Sequence, residues 1–232
     1  MLDIPDAPPH HSAGPGSAAA RRRHGAGEDP AKRDQILDGA LKVFMEGGFD
    51  RASMEDVRRA AGVSKGTLYV YFGAKEELFA ALIERERAQL FAGLDEILEA
   101  GLPLGDTLGR FGRHLARALC SEPVVRAQRI IIGIAARMPG LAARFHESGA
   151  RRTQGSLRRF LEREAEAGRL LLPDGGSDLG LAAQQFIELA TAGLWRPRLF
   201  GVSAEPPAEA AVAACVDAAV AMFLAAYGRR AA

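Results

Sequence analysis

The sequence predicts an all-α protein in which a small N-terminal unit of three helices precedes a larger helical bundle. Apolar residues recur at helical spacing in segment after segment between Asp29 and Tyr227. No segment alternates apolar and polar residues as a half-buried strand would, and the chain has no internal repeat. Between Ser53 and Phe72, two short helical patterns are joined by a turn of a few residues, which sets the N-terminal unit apart.

Composition limits the function only loosely. The chain has 232 residues, enough for one large or two modest domains, and 48% of them are hydrophobic. The formal net charge is +1, and residues 31–91 hold ten basic and ten acidic residues, so overall charge does not indicate a nucleic-acid binder. A positive surface would have to come from local segregation of charge. The candidates, all near the two short helices, are Arg51, Arg58, Arg59, Lys65 and Lys75.

The chain begins with a segment of low complexity and then a first helix. Residues 1–29 are rich in Pro, Gly, Ser, Ala and His, so we expect a disordered tail. Within it, Arg21-Arg22-Arg23 could follow a DNA minor groove or could simply be solvated. Asp29-Pro30 is a favourable N-cap and first-turn pair, and the helix should end at Gly47-Gly48. Its apolar stripe consists of Ile36, Leu37, Ala40, Leu41 and Phe44.

The second and third helices form a predicted helix-turn-helix. Ser53 and Asp56 have the spacing of a capping box, and Gly62 suits a left-handed C-cap. Ser64 then begins the next helix as its N-cap. Two helices joined by so short a glycine-containing turn are typical of the motif that reads DNA, although two short amphipathic helices inside a bundle would have the same periodicity.

The helix from Ser64 to Phe72 is the candidate recognition helix. Leu68 and Phe72 point the same way and predict its buried face, with Tyr71 beside them. Gly66 and Val70 lie on the opposite face of the helix and form what we call its crest. Because both side chains are small, the helix backbone could enter a major groove there. The residues that border the crest and could reach phosphates or base edges are Lys65, Thr67 and Tyr69.

A resemblance to the TetR family of bacterial one-component repressors is carried by ILDGALKVFMEGGFDRASMEDV and AAGVSKGTLYVYFGAKEELFAAL, over roughly residues 32–84. It implies a helix-turn-helix domain over residues 30–75 and a ligand-sensing and dimerisation domain over residues 76–232. The DNA contacts that it implies are Ser53, Ser64, Lys65, Gly66, Thr67, Tyr69, Tyr71 and Lys75. Two positions depart from the family. Val70 replaces a residue that is often polar, leaving contact with a thymine methyl group, and Ala74 replaces a frequent polar cap.

The rest of the chain predicts further helices. A fourth helix from Ala74 to about Ala100 would join the N-terminal unit to the bundle. The later helices are expected over residues 106–121, 122–138, 141–169, 178–195 and 208–227. The one at 122–138 contains two valines and four isoleucines, so it should be the buried centre.

The downstream segments also resemble a narrower group. EPVVRAQRIIIGIAARMPGLAARFHESG, LRRFLEREAEAGRL and LAAQQFIELATAGLWRPRLFG look like the C-terminal region of AefR-like and AcrR-like regulators. The resemblance implies an effector and dimerisation domain. We expect a homodimer through the helices at 178–195 and 208–227, the eighth and ninth, because they combine apolar stripes with small residues. Two equivalent DNA-binding units then predict a near-palindromic operator of double-stranded DNA.

A cavity among the fourth to eighth predicted helices would suit a small lipophilic or aromatic effector. Five side chains could line it, although ordinary core is the simpler interpretation of each: Phe91, Phe111, His114, Phe145 and Trp195.

The chain shows no sign of catalysis. It has no phosphate-binding loop, no nucleophile with a nearby base, and no Cys/His spacing for a metal, so we expect neither a cofactor nor a metal. Cys120 and Cys215 fit small hydrophobic residues in a reducing cytoplasm, or alternatively a thiol sensor. The apolar run at 210–227 is mostly alanine and contains Asp217, so we expect no membrane span. The alternatives are a helical adaptor without DNA binding and a helical enzyme. An operator-shift assay would distinguish a DNA-binding protein from both.

Overall fold

The computed structural model describes residues 27–170 and 178–228, which form twelve α-helices and one π turn. The helices are α1 (Pro30–Arg51), α2 (Met54–Ala61), α3 (Lys65–Tyr71), α4 (Lys75–Leu90), α5 (Leu94–Glu99), α6 (Leu104–Cys120), α7 (Glu122–Ile134), α8 (Pro139–His146), α9 (Arg152–Glu166), α10 (Leu179–Thr191), α11 (Trp195–Leu199) and α12 (Glu209–Tyr227). The π turn at Glu147–Arg151 joins α8 to α9. The all-α prediction is confirmed. The expected disordered tail lies, up to residue 26, outside the described residues.

Helix α1 begins after the predicted Asp29 cap and kinks at the glycine pair where the sequence predicted its end. The Asp29 side chain accepts hydrogen bonds from the backbone N–H groups of Ala31 (3.0 Å) and Lys32 (3.4 Å). The regular helix ends at Gly48, whose backbone is not helical (φ 74°, ψ 165°), as the sequence predicted, and a short helical turn after this kink reaches Arg51. Glycine allows the left-handed φ that this kink requires.

The first core lies under helices α1 to α4. Phe44, Phe49 and Phe79 form its aromatic centre, with ring centroids 5.0 to 5.7 Å apart. Helix α7 also contributes to it through Ile131 and Ile134. However, Ile132 of the same helix is 62% exposed, so α7 is not buried all round as the sequence suggested. Helix α7 therefore packs on the N-terminal helices with one face only.

The second core lies among α5, α6, α9, α10 and α12. Phe111, Phe186 and Phe223 form a row through it, with successive ring centroids 6.4 and 5.5 Å apart. Helices α6 and α12 pack so closely that a Cβ at Gly112 would lie 2.8 Å from Cγ1 of Val216. These contacts hold α12 against the bundle along one face.

Two of the long predicted helices end early. Helix α4 ends at Leu90, and the chain turns through Gly93 (φ 89°) into α5, so a continuous helix to Ala100 was the wrong prediction. The helix expected over 141–169 stays helical from Pro139 to Glu166, with the π turn as a wider turn within it. The helix expected to residue 195 ends at Thr191, before Gly193 (φ 74°). At Gly93 and Gly193 the backbone takes the left-handed conformation, which ends a right-handed helix at little cost only for glycine.

Helix α12 is unusually apolar for a helix so poorly covered. Within the described ranges it alone is long and apolar enough to cross a membrane by length and composition, with a mean hydropathy of 1.9 and 22% of its residues buried. One side packs on the bundle through Val212, Val216 and Phe223, and Asp217 pairs with Arg113 of α6. The opposite side is open, with Met222 58% exposed.

Candidate nucleic-acid interface and ligand cavity

Local capping shapes the helix-turn-helix as the sequence predicted. Oγ of Ser53 accepts from the backbone N–H of Asp56 (3.2 Å), and the Asp56 carboxylate accepts from the backbone N–H of Ser53 (3.1 Å), which completes a capping box. Gly62 is left-handed (φ 64°), and Ser64 caps α3 by accepting from the N–H of Thr67 at 3.0 Å. The turn between α2 and α3 therefore begins at the left-handed Gly62 and ends at the Ser64 cap.

The two faces of α3 are those expected. Leu68 and Phe72 are 1% and 3% exposed and belong to the first core, whereas Tyr69 is 47% and Val70 54% exposed. A Cβ at Gly66 would meet nothing closer than Oγ of Ser64, at 3.9 Å. Helix α3 therefore presents an outward crest that a DNA groove can approach without obstruction by large side chains.

Two of the predicted DNA-contact residues, Tyr71 and Lys75, make hydrogen bonds to the backbone of α1 and its ends. The Tyr71 hydroxyl accepts a hydrogen bond from the backbone N–H of Asp29 at 3.1 Å. The Lys75 ammonium donates to the carbonyls of Phe49 (2.9 Å) and Ala52 (3.0 Å) and lies 4.4 Å from the centroid of the Phe49 ring. In this conformation both side chains stabilise the packing of α1 against α3 and α4.

Ion pairs offset two of the five basic residues that the sequence places near α3. The Arg58 guanidinium donates to Glu55 at 2.7 to 3.0 Å, and Arg59 pairs with Asp56. The hydrogen bond from Arg58 holds the pKa of the Glu55 carboxyl below its ordinary value, which keeps that carboxylate ionised. Lys65 is exposed and makes no hydrogen bond or ion pair with the described part of the chain. The positive surface is thus smaller than the sequence suggested.

The described chain starts beside the recognition helix. A Cβ at Gly27 would lie 3.3 Å from both Cγ1 and the carbonyl oxygen of Val70, and the φ of Gly27 is +88°. Arg21-Arg22-Arg23, the candidate basic arm, lies outside the described residues.

A cavity of about 480 Å³ lies between the two cores. It is bordered by α1, α4, α6, α7, α8, α10 and the π turn, and three of the five predicted side chains, Phe91, Phe145 and Trp195, line it. Phe111 and His114 do not. Phe111 is fully buried in the second core, where it borders a smaller neighbouring cavity of about 130 Å³, and His114 lies near Gly93. Helical spacing could not separate cavity-facing from core-facing aromatic residues.

Polar residues in this cavity were missed by the sequence analysis. Nη1 of Arg87 and Oε1 of Gln128 are buried and have no hydrogen-bond partner in the described part of the chain. Gln128 is an amide among the apolar residues of α7, the one signal that could have identified it. The other charged lining residues are ion-paired: Glu86 with Arg85 (2.7 Å), Arg151 with Glu147 (2.8 Å) and Glu188 with Arg196 (3.4 Å).

Neither cysteine resembles an activated thiol. Cys120 is buried and Cys215 partly buried, and burial raises the pKa of both thiols above the ordinary value. No group of three or more His, Cys, Asp or Glu side chains suited to a metal occurs within residues 27–170 and 178–228.

Comparison with known protein families finds matches in two parts of the chain. A profile described as "Bacterial regulatory proteins, tetR family" matches residues 36–82, and one described as "AefR-like transcriptional repressor, C-terminal domain" matches residues 106–229. The second match covers more than half of the 232 residues.

Similar proteins are found among solved structures and characterised regulators. A TetR-family transcriptional regulator from Mesorhizobium loti MAFF303099 is 26% identical with a TM-score of 0.77, covering 86% of this chain and 98% of that one. The flavonoid-responsive regulator FrrA is 34% identical with a TM-score of 0.68, covering 88% and 100%. The repressor AcnR of Corynebacterium glutamicum is 32% identical over 113 residues, 45% of this chain and 60% of AcnR. The match to AcnR thus spans less than two thirds of that relative.

Both halves of the chain match profiles of one family, and the helix-turn-helix has the expected caps and exposed face. The family consists of DNA-binding transcription regulators rather than enzymes. This chain belongs to the TetR family of bacterial regulatory proteins, with an AefR-like C-terminal domain.

Proposed function

We propose that this protein is a ligand-responsive transcriptional repressor that binds a near-palindromic operator as a homodimer. The observation that carries the ligand response is the position of the cavity. Leu82 and Ile83 of α4 belong to the first core and also line the cavity, as does Leu41 of α1, which packs against that core. A bound molecule would therefore touch side chains that hold the DNA-binding helices in place.

Helix α4 is the element that would transmit the signal. It begins beside α3, packs in the first core at its middle, and reaches the cavity with Arg87 near its end. The two recognition helices of a dimer must lie about 34 Å apart, or a multiple of that distance, to enter successive major grooves. A ligand that tilts α4 would change this spacing. It must bind the DNA-incompetent state more tightly, so operator DNA must weaken ligand binding by the same factor.

The proposed DNA contacts follow the exposed side of the helix-turn-helix. Lys65 and Tyr69 are exposed on α3, Thr67 is half-buried beside them, and Gly66 leaves the crest open. Ser53 and Ser64 are exposed at the helix N-termini, where phosphates bind favourably. Their hydroxyls would exchange the hydrogen bonds that Ser53 makes with the Asp56 carboxylate (2.6 Å) and Ser64 with Thr67 (2.8 Å). Tyr71 and Lys75 would contact DNA only by exchanging their internal partners, so we assign them the weaker part of the interface.

The homodimer is proposed to form through α10 and α12. Leu181 of α10 is 51% exposed and Met222 of α12 is 58% exposed, and both border a shallow apolar groove along the two helices. An apolar helix as open as α12 is unfavourable in water, and a second copy related by a two-fold axis would cover it with the same surface. The resulting four-helix contact leaves both copies of α3 free.

The apolar lining of the cavity supports a lipophilic or aromatic effector. Among the relatives, FrrA is named as a flavonoid-responsive regulator. We propose the same broad class for this chain. We further propose that the protein acts in the cytoplasm, with residues 30–75 as the DNA-binding domain and 76–232 as the sensing and dimerisation domain.

Selection of bound fragments from genomic DNA by the purified protein would test DNA recognition and give the operator. Enrichment of a two-fold symmetric site supports the proposal, and the absence of any enriched sequence would favour the helical adaptor. Once an effector is known, its affinity is measured with and without operator. Equal affinities would refute ligand-controlled release even if DNA binding were specific.

A further inference from the structure

The two unpartnered polar atoms of the cavity have complementary chemistry. Nη1 of Arg87 can only donate hydrogen bonds, and Oε1 of Gln128 can only accept them. Both atoms are buried, and they do not hydrogen bond with each other. Buried polar groups in proteins are nearly always paired, because an unpaired one loses its hydration without compensation. A ligand that pairs both atoms would need an acceptor for Arg87 and a donor for Gln128.

The surroundings of Arg87 favour an anion as the acceptor. Its side chain crosses the π turn, where a Cβ at Gly149 would lie 3.6 Å from Cδ and 3.7 Å from Nη1. Burial and then the neighbouring charge of Arg152 lower the pKa of Arg87, with Glu84 acting in the opposite sense. Within residues 27–170 and 178–228, the carboxylate that pairs with Arg152 is that of Asp95, at 3.9 Å. This corner of the cavity is therefore positive and short of a counter-ion.

The remainder of the lining is mostly apolar. Phe91, Phe145 and Trp195 surround the space together with aliphatic side chains of α1, α4, α6 and α7. The other charged residues of the lining already have ion-pair partners, so they offer little to a ligand. A volume of about 480 Å³ fits a molecule of two or three rings.

We infer that the effector is an apolar, ring-containing acid whose anionic oxygen, a carboxylate or a phenolate, accepts hydrogen bonds from Arg87, and whose hydroxyl group donates to Gln128. This inference rests on the proposed function of the cavity as the effector site. It narrows a general lipophilic class to molecules with one acidic oxygen and one hydroxyl group.

A matched set of probes tests the inference by calorimetry on the full-length protein without DNA. The carboxylate arm uses 4′-hydroxybiphenyl-4-carboxylate, its methyl ester, and biphenyl-4-carboxylate, which lacks the hydroxyl. The phenolate arm uses 7-hydroxyflavone and flavone, and it tests the acidic oxygen alone because 7-hydroxyflavone has no second hydroxyl group. We expect the acid to bind at least about tenfold more tightly than the ester, as a charge-assisted hydrogen bond in a buried site requires. A preference confined to one arm identifies the acidic group as carboxylate or phenolate.

Variants assign the preference to the two residues. Arg87→Gln should bring acid and ester to within about twofold, and Arg87→Lys should retain part of the difference because it keeps the charge without the planar donor pair. Gln128→Leu should remove the advantage of the hydroxylated acid over biphenyl-4-carboxylate. The matched control is Arg151→Gln, because Arg151 also lines the cavity but is paired with Glu147. Thermal melting identifies any variant that fails to fold, and Arg87→Lys then supplies the result.

Three outcomes would overturn the inference: no preference for the acid in either arm, a preference that survives Arg87→Gln, or no binding of either acidic probe at millimolar concentration. Operator release is measured separately. An acid that binds through Arg87 and leaves operator binding unchanged would support the recognition chemistry and refute ligand-controlled repression.

Discussion

Replacing Lys75 with methionine should destabilise the DNA-binding helices in addition to any effect on DNA affinity. The Lys75 ammonium connects the start of α4 to the end of α1 through the carbonyls of Phe49 and Ala52 and the face of the Phe49 ring. Methionine keeps the apolar stem and removes only the charged donor. Lys65→Met is the matched control, because Lys65 is exposed and makes no hydrogen bond or ion pair within the described chain.

The magnitude follows from these contacts. Two hydrogen bonds from a partly exposed ammonium contribute about 0.5 to 1 kcal/mol each, and the cation–π contact adds about 0.5 kcal/mol. A positive charge in the first turn of α4 opposes the helix dipole by about 0.3 kcal/mol, which methionine relieves. The net loss is about 1 to 2 kcal/mol, or roughly 2 to 8 °C in the melting temperature of a chain of this size.

Urea and thermal unfolding followed by circular dichroism measure the stability, and operator titration over a range of salt concentrations measures the DNA contact. Lys65→Met should weaken operator binding and reduce the salt slope by about one unit while its stability stays unchanged. Lys75→Met should lose stability. If Lys75→Met unfolds at the wild-type urea concentration but binds operator weakly, Lys75 contacts DNA and its role in stabilising α1 and α4 is wrong.

Three further predictions concern the crest, the dimer and the thiols. Gly66→Leu should abolish operator binding without loss of stability, since a Cβ there has open space; retained binding would place Gly66 outside the groove. Met222→Arg should convert the dimer to a monomer in sedimentation velocity, because it places a charge on the exposed apolar side of α12; an unchanged dimer would assign the interface elsewhere. Cys215 should react slowly with Ellman's reagent at pH 7 and faster as the pH rises, because burial raises its thiol pKa; rapid reaction at pH 7 would indicate a sensor.

The sequence was most informative where structure depends on near neighbours. The capping box at Ser53, the left-handed Gly62 and the Ser64 cap each involve residues within three or four positions of one another. The buried positions of Leu68 and Phe72 follow from helical period alone. These local rules, together with the TetR resemblance, were sufficient to identify the DNA-reading part of the molecule.

The same reasoning failed where the structure depends on packing between residues that are distant in the sequence. Gly93 was predicted to lie inside one long helix, because a single glycine within a helical pattern is often tolerated, but it separates α4 from α5. Phe111 and Phe91 are both apolar residues on helical stripes, yet one is fully buried in the second core and the other lines the cavity. Periodicity indicates which side of a helix is apolar, and it does not indicate whether that side meets another helix or a space.

From the sequence alone came the all-α class, the helix-turn-helix with its exposed crest, and the family, because caps, turns and amphipathic period are encoded within single segments. Only the tertiary structure determined which polar side chains already have a hydrogen-bond partner within the described chain and which do not. Tyr71 finds its partner 42 residues away at Asp29, and Arg87 and Gln128 share a cavity although they lie on different helices. Such pairings depend on how helices distant in sequence pack together, and no local pattern records that arrangement.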